Sequence, residues 1–207
     1  MNKISLVFLD FGGVIAEEGF KQGIKELAAM HAYDPELLKK EAFDLVYDSG
    51  FTSGRITSDE FWELFRLKTN INGSNRDLTN FILERFVVRS EMIEFVKKMK
   101  KLGLIVAILS DQTNWIDELD KKYDFFKYFD KIYNSYRMGI TKKDSAIFDL
   151  VLDEMGGKPE TTLFVDDHIH HINRAKEKGI NTIFFESMDQ FVKDLNMYIP
   201  DLTNPIF

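Results

Sequence analysis

The feature that most constrains this chain is a set of short apolar runs, each followed by a polar or small residue and then by a helical period. The runs are Ile4–Leu9, Leu104–Leu109, Thr162–Val165 and Asn181–Phe185, with Lys131–Asn134 a weaker fifth. Apolar, β-branched runs of this kind read as strands buried on both faces. Between them lie apolar stripes at helical spacing. Met92, Phe95, Val96, Met99 and Leu102 form one, ended by Gly103. Ala146, Ile147, Leu150, Val151 and Met155 form a second, ended by Gly156-Gly157, and Ile172, Ala175 and Lys178 close on Gly179. Strands alternating with helices make βαβ units. The expected fold is therefore α/β, with a doubly wound, mostly parallel sheet.

The stretch from Ile15 to Val88 breaks the alternation. It carries helical periods, roughly Phe20–His31, Pro35–Ser49, Ser58–Thr69 and Leu78–Val87, and no convincing strand. Ser58, with Phe61-Trp62 following, reads as an N-cap before an apolar face. An all-helical insertion directly after the first strand lies over the C-terminal edge of the sheet. The expected division is a core of residues 1–15 and 88–207 with a helical cap of residues 16–87.

A chain of 207 residues, 44% apolar with nineteen Phe, has ample material for such a core. The net charge of −7 argues against nucleic acid and against an anionic membrane surface as partners. A phosphorylated small molecule stays possible, because a divalent cation reverses the local field. With no cysteine, there is no disulfide framework, zinc-thiolate site or thiol nucleophile. The N-terminal apolar run is too short for a membrane span and lacks signal-peptide flanks, so a cytoplasmic protein is the expectation. Oligomeric state is not legible.

Polar residues recur where the strands end. Asp10 closes the first run and opens the turn Phe11-Gly12-Gly13, whose glycines let backbone amides approach an anion. Ser110 closes the second run, and its hydroxyl can donate to a phosphate oxygen. Lys142, in Gly139-Ile140-Thr141-Lys142, precedes a helical stretch from Lys143 to Met155 and can neutralise an anion. Asp166-Asp167 follow the fourth run as paired carboxylates, which suit a hard divalent cation such as Mg²⁺. Each has an ordinary alternative: turn former, N-cap, surface lysine, helix-start acid. Their joint placement at strand ends is what favours a site.

In this order the residues resemble the haloacid dehalogenase-like hydrolase superfamily. Phe8-Leu9-Asp10-Phe11-Gly12-Gly13-Val14-Ile15 is similar to its first motif, Leu109-Ser110-Asp111 to its second, Gly139-Ile140-Thr141-Lys142 to its third and Phe164-Val165-Asp166-Asp167 to its fourth. The helical insertion is similar to its α-helical cap, and the likeness spans the chain. The nearest branch is that of sugar phosphatases and the N-terminal phosphatase domain of epoxide hydrolase. The resemblance implies a Rossmann-like core and a Mg²⁺-dependent phosphatase of a small phosphorylated metabolite. It implies that Asp10 forms an aspartyl-phosphate. Asp10, the carbonyl of Gly12, Asp166 and Asp167 would hold the metal, while Phe11, Gly12, Ser110, Asp111 and Lys142 would hold substrate, with Asp10, Ser110 and Lys142 catalytic.

Three positions depart from that pattern. Gly12 stands where most such phosphatases carry a second Asp that protonates the leaving oxygen, a function contributing ~10²–10⁴-fold. A substrate with a good leaving oxygen, such as an anomeric sugar phosphate, would need less help. His168 is a candidate substitute, with His170 and His171 beside it, although polar residues at a helix start are the commoner reading. Asp111 replaces a frequent Asn, and Lys143 replaces a frequent Pro, leaving Lys142 or Lys143 as the site lysine; spacing from Gly139 favours Lys142. Two other functions compete: a 2-haloacid dehalogenase, which also lacks the second Asp, and a non-catalytic member that binds a phosphorylated ligand. In the cap, Phe20, Phe51, Arg55 and Trp62 are the candidate substrate contacts, with core packing the commoner role for the aromatics.

Overall fold

The computed structural model describes residues 3–202. Five strands, β1 (Leu6–Leu9), β2 (Ile105–Ser110), β3 (Lys131–Asn134), β4 (Thr162–Asp166) and β5 (Asn181–Phe184), form one sheet in the order β3-β2-β1-β4-β5. Every pairing is parallel. The apolar runs thus locate all five strands, with small differences at the ends. The first begins at Leu6, because the Ser5 amide bonds the Thr161 carbonyl outside the regular ladder.

The runs are continuous because both faces of the sheet are covered. Val7, Leu9, Val106, Ile108 and Val165 join the cluster that holds Met92, Ile93, Val96 and Met99 of α5 (Ser90–Lys101). The alternate residues Leu6, Phe8, Ala107, Leu109 and Phe164 face Ile147, Phe148, Val151 and Leu152 of α8 (Ala146–Met155), with Ile172 and Ala175 of α9 (Ile169–Glu177). The buried stripe of α8 is rotated from the expected one. Phe148 takes the inward place and Leu150 is 52% exposed, because the large ring fills the space against Phe164 at 5.3 Å. α6 (Trp115–Tyr123), the single turn α7 (Ser135–Met138) and α10 (Met188–Tyr198) complete the core, the last without a sequence expectation behind it.

Four helices lie between β1 and α5: α1 (Gly19–Met30), α2 (Pro35–Asp48), α3 (Ser58–Thr69) and α4 (Asn75–Leu83). Their starts are written locally. Asp34 accepts the Leu37 amide with Pro35 at the first helical position. Ser58 is not the cap of α3. Thr57 is, in a reciprocal capping box with Glu60, since only Thr57 keeps the extended backbone that a cap needs. α4 starts earlier and ends earlier than its expected span, because Ser74 caps it at Asp77.

The two crossings into this helical segment are joined. Ala16 bridges Val88 antiparallel, and the Arg89 amide donates to the Ile15 carbonyl at 2.8 Å. Arg89 Nη1 donates to the carbonyls of Gly13, Val14 and Ala16, each at 2.8 Å, while Nη2 pairs with Glu17 at 3.1 Å. Further out, Trp115 of α6 enters the helices. It stacks on Trp62 at 5.7 Å, meets Phe51 edge-on at 5.3 Å, and donates its indole N–H to the Ser58 hydroxyl at 3.0 Å. One apolar cluster therefore runs from the sheet into the helical segment. Among the described residues, no helix is long and apolar enough to cross a membrane.

Candidate active site

The strand order sets the position of the site. From β1 the chain moves to β2 and β3 on one side, then returns to β4 and β5 on the other. The loops after β1 and β4 diverge, and such a switch point opens a crevice at the carboxyl ends of the strands. Asp10 follows β1, Asp166 ends β4, and Asp167 is next in sequence. One carboxylate oxygen from each lies within 4.8 Å of the others. A turn with positive φ at Gly13 (+83°) makes this possible. A Cβ there would stand 2.1 Å from Asp167 Oδ2, so only glycine leaves room for that carboxylate.

Lys142 enters from the loop before α8 and is completely buried. Its Nζ lies 3.0 Å from Asp10 Oδ1 and 2.5 Å from Asp166 Oδ2. Lys143 instead lies over the Tyr47 ring at 3.5 Å, which assigns the inner position to Lys142. Asp111 fixes the approach of this loop. Its Oδ1 accepts the Lys142 amide at 2.8 Å and the Ser135 hydroxyl at 2.6 Å. Asp10 Oδ1 accepts the Phe11 amide at 2.7 Å. Ser110 is buried at the end of β2 and lines the same crevice as Asp10.

The histidines divide. His171 is buried and donates from Nδ1 to Asp166 Oδ2 at 3.2 Å, with Nε2 3.8 Å from Asp111 Oδ2. His168 stacks on His171 at 4.5 Å and faces the cavity, while His170 lies outside it. Burial and then the neighbouring His171 push the His168 imidazole below its ordinary range.

Charge crowding governs the carboxyls. Burial drives the Asp10 carboxyl well up; Lys142 opposes this, and Asp166 and Asp167 add to it. Burial would also raise Asp166, but Lys142 and His171 hold it below the usual carboxylate range. Asp167 is raised by burial and by Asp166. Burial disfavours the Lys142 ammonium, yet Asp10, Asp166 and Asp111 keep it above the ordinary lysine range. Three carboxylates against one ammonium leave an excess of negative charge. All the donors are hard oxygens, the donor set that Mg²⁺ or Ca²⁺ takes. The residues present therefore fit a divalent cation.

A cavity of about 390 Å³ opens above these groups. Its floor is Asp10, Gly12, Ser110, Asp111, Asp167, His168 and His171; its roof is Phe20, Lys21, Lys39, Lys40, Phe43, Val46 and Tyr47 of the helical segment. Of the expected roof residues, Phe20 lines it. Phe51 and Trp62 are buried in the aromatic cluster around Trp115. Arg55 does not reach it: the glycine turn Gly50–Gly54 directs it to a neighbouring cavity beside Lys143 and Asp144. Glu18 was not expected at all. It lines the main cavity, its Oε2 is enclosed without a hydrogen-bond partner, and burial, with Asp167 and Asp10 adding, pushes its carboxyl up to about 8. Nothing in Glu17-Glu18 as a sequence distinguishes it from a solvated acid pair.

Residues 4–179 match the sequence profile described as hydrolase, haloacid dehalogenase-like hydrolase. The chain is 23% identical to the D-ribitol-5-phosphate phosphatase of Bacteroides thetaiotaomicron, covering 95% of this chain and 98% of that protein. It is 25% identical to the bifunctional epoxide hydrolase 2 of Rattus norvegicus over 52% of this chain, and spans only a fifth of that longer protein. Among solved structures, a HAD family enzyme from B. thetaiotaomicron in complex with magnesium and inorganic phosphate superposes with a TM-score of 0.72 at 23% identity, covering 89% of this chain and 96% of that one.

Proposed function

Because the chain belongs to the haloacid dehalogenase-like hydrolase family, we propose that it is a Mg²⁺-dependent phosphatase of a small phosphorylated metabolite, a sugar phosphate among the candidates. The observation that carries this reading is the meeting of the Asp10, Asp166 and Asp167 carboxylates beside buried Lys142 at the switch point. The names of the relatives support it: one is a phosphatase of D-ribitol 5-phosphate, and one structure contains magnesium and phosphate. In this reading residues 16–87 act as a cap over a core of residues 1–15 and 88–207.

Asp10, Asp167 and the Gly12 carbonyl would hold Mg²⁺, with Asp166 assisting. Bound there, the ion would offset carboxylate repulsion and the charge of a phosphate dianion. Asp10 is the nucleophile: its free oxygen attacks phosphorus and gives an aspartyl-phosphate. Lys142 cannot turn away, because its charge is fixed between two carboxylates; it presents positive charge where the phosphoryl oxygens gather it. The Ser110 hydroxyl and the Gly12 amide supply hydrogen bonds to the same oxygens; the Phe11 amide, expected to join them, is instead spent on Asp10 Oδ1 and orients the nucleophile. Asp111 keeps the Lys142 loop at its height and lies within reach of a substrate hydroxyl. The roof residues exclude water and select the leaving group.

The test is phosphate release from a panel of phosphorylated metabolites. Turnover is expected with Mg²⁺, none with EDTA and none from Asp10→Asn. Metal-independent chloride release from a 2-chloro acid, with no phosphate released from any ester, would replace this reading with a dehalogenase.

A further inference from the structure

Gly12 leaves the site without a side chain where the family resemblance sets a proton donor, and the structure shows what occupies that space. A Cβ built on Gly12 meets no backbone. Its nearest neighbours are Glu18 Oε1 at 3.8 Å, the Phe86 ring at 3.8 Å and Glu18 Cδ at 3.9 Å. The Glu18 carboxyl thus lies in van der Waals contact with the place a Cβ at position 12 would occupy. It reaches that place from the other direction, out of the turn that leads into α1.

We propose that Glu18 is the general acid–base of the phosphatase, replacing the absent side chain at position 12. The inference rests on the phosphatase reading. The carboxyl lines the same cavity as Asp10 and Ser110, beside Gly12. Oε2 is enclosed without a hydrogen-bond partner in the protein, and Oε1 is the oxygen that lies beside position 12. His168, the other candidate, follows β4 and has its ring stacked on His171.

The step balances as follows. An Asp10 oxygen forms a bond to phosphorus while the bond from phosphorus to the ester oxygen breaks with its electron pair. Glu18 gives its proton to that oxygen, releasing the alcohol. The resulting carboxylate then takes a proton from water, whose oxygen attacks the phosphorus of the aspartyl-phosphate. Asp10 leaves as carboxylate, hydrogen phosphate departs, and Glu18 is again protonated.

The test compares two esters in Glu18→Gln, which keeps the size of the side chain. An alkyl phosphate needs its leaving oxygen protonated; p-nitrophenyl phosphate does not. The expected result is a loss of ~10²–10⁴-fold in kcat/KM for the alkyl ester. With p-nitrophenyl phosphate a stoichiometric burst of nitrophenolate should survive, followed by slow turnover as aspartyl-phosphate accumulates for want of a base. Adding Gly12→Asp to Glu18→Gln should recover alkyl-ester cleavage, because the same space is refilled. The surviving burst shows that the variant is folded. Equal losses on both esters, no loss on either, or retention of burst-free turnover would overturn the role of Glu18 while leaving the phosphatase reading intact. Absence of turnover in the unaltered chain would overturn both.

Discussion

Replacing Lys142 with methionine tests the electrostatic logic of the site most severely. The ammonium faces Asp10 Oδ1 at 3.0 Å and Asp166 Oδ2 at 2.5 Å, fully buried. At an effective dielectric near 20, each contact carries roughly 5–7 kcal/mol of gross attraction, most of it offset by desolvation. Deleting one partner does not return that balance to zero, because two carboxylates remain buried and uncompensated. The expected loss is ~3–5 kcal/mol of unfolding free energy, a large share of the ~5–15 kcal/mol of an ordinary domain. Urea unfolding at neutral pH in EDTA measures it. The sign with pH follows from linkage. Without the cation, the folded-state carboxyls titrate above their unfolded values, so the folded variant binds more protons than the unfolded chain. Its deficit against the unaltered protein should shrink as pH falls toward 5 and grow as pH rises. Asp166→Asn in the Lys142→Met background should recover part of the loss. A deficit below ~1 kcal/mol, the size of an ordinary substitution, or one that does not close on acidification, would refute the argument.

Three further outcomes are expected. Gly13→Ala forces a Cβ into Asp167 at a φ of +83°; it should cost ~1–2 kcal/mol in EDTA and weaken Mg²⁺ binding in a calorimetric titration, and unchanged affinity would count against Asp167 as a ligand. Asp167→Asn relieves like-charge crowding, so it should raise the unfolding midpoint in EDTA yet lose the ~2.7 kcal/mol that a ligand at a hundred times its Kd confers; thermal scans with and without Mg²⁺ read both signs. Trp115→Ala removes a ring buried among Phe20, Phe51, Phe61 and Trp62 and should cost ~3–5 kcal/mol in urea; a smaller loss than from Leu→Ala at a surface position would show that the cluster packs without it.

What the sequence makes legible is what one strand or one turn decides. The sheet was readable because strands covered on both faces carry unbroken apolar runs, and Asp10, Ser110 and Asp166 were readable because they stop those runs. The inward face of α8 was not, because Ile147-Phe148 and Leu150-Val151 offer two apolar stripes, and only Phe164 across the interface chooses between them. Thr57 and Ser58 are equally good caps as residue types; backbone conformation separates them. Glu18 was illegible for the same reason. Its neighbour Gly12 is close in sequence, but the approach of the carboxyl depends on a turn anchored by Arg89, dozens of residues later.

That anchoring has a mechanical consequence. A segment joined by one covalent crossing can swing and also swivel about its own link. Here two crossings run side by side, bridged at Ala16 and Val88 and stapled by one guanidinium to three carbonyls. Side-by-side attachment removes the swivel and leaves a single bending axis. Bending about that axis is opposed in turn by Trp115, seated among Phe51, Phe61 and Trp62, so the roof residues are held at a set height above Asp10.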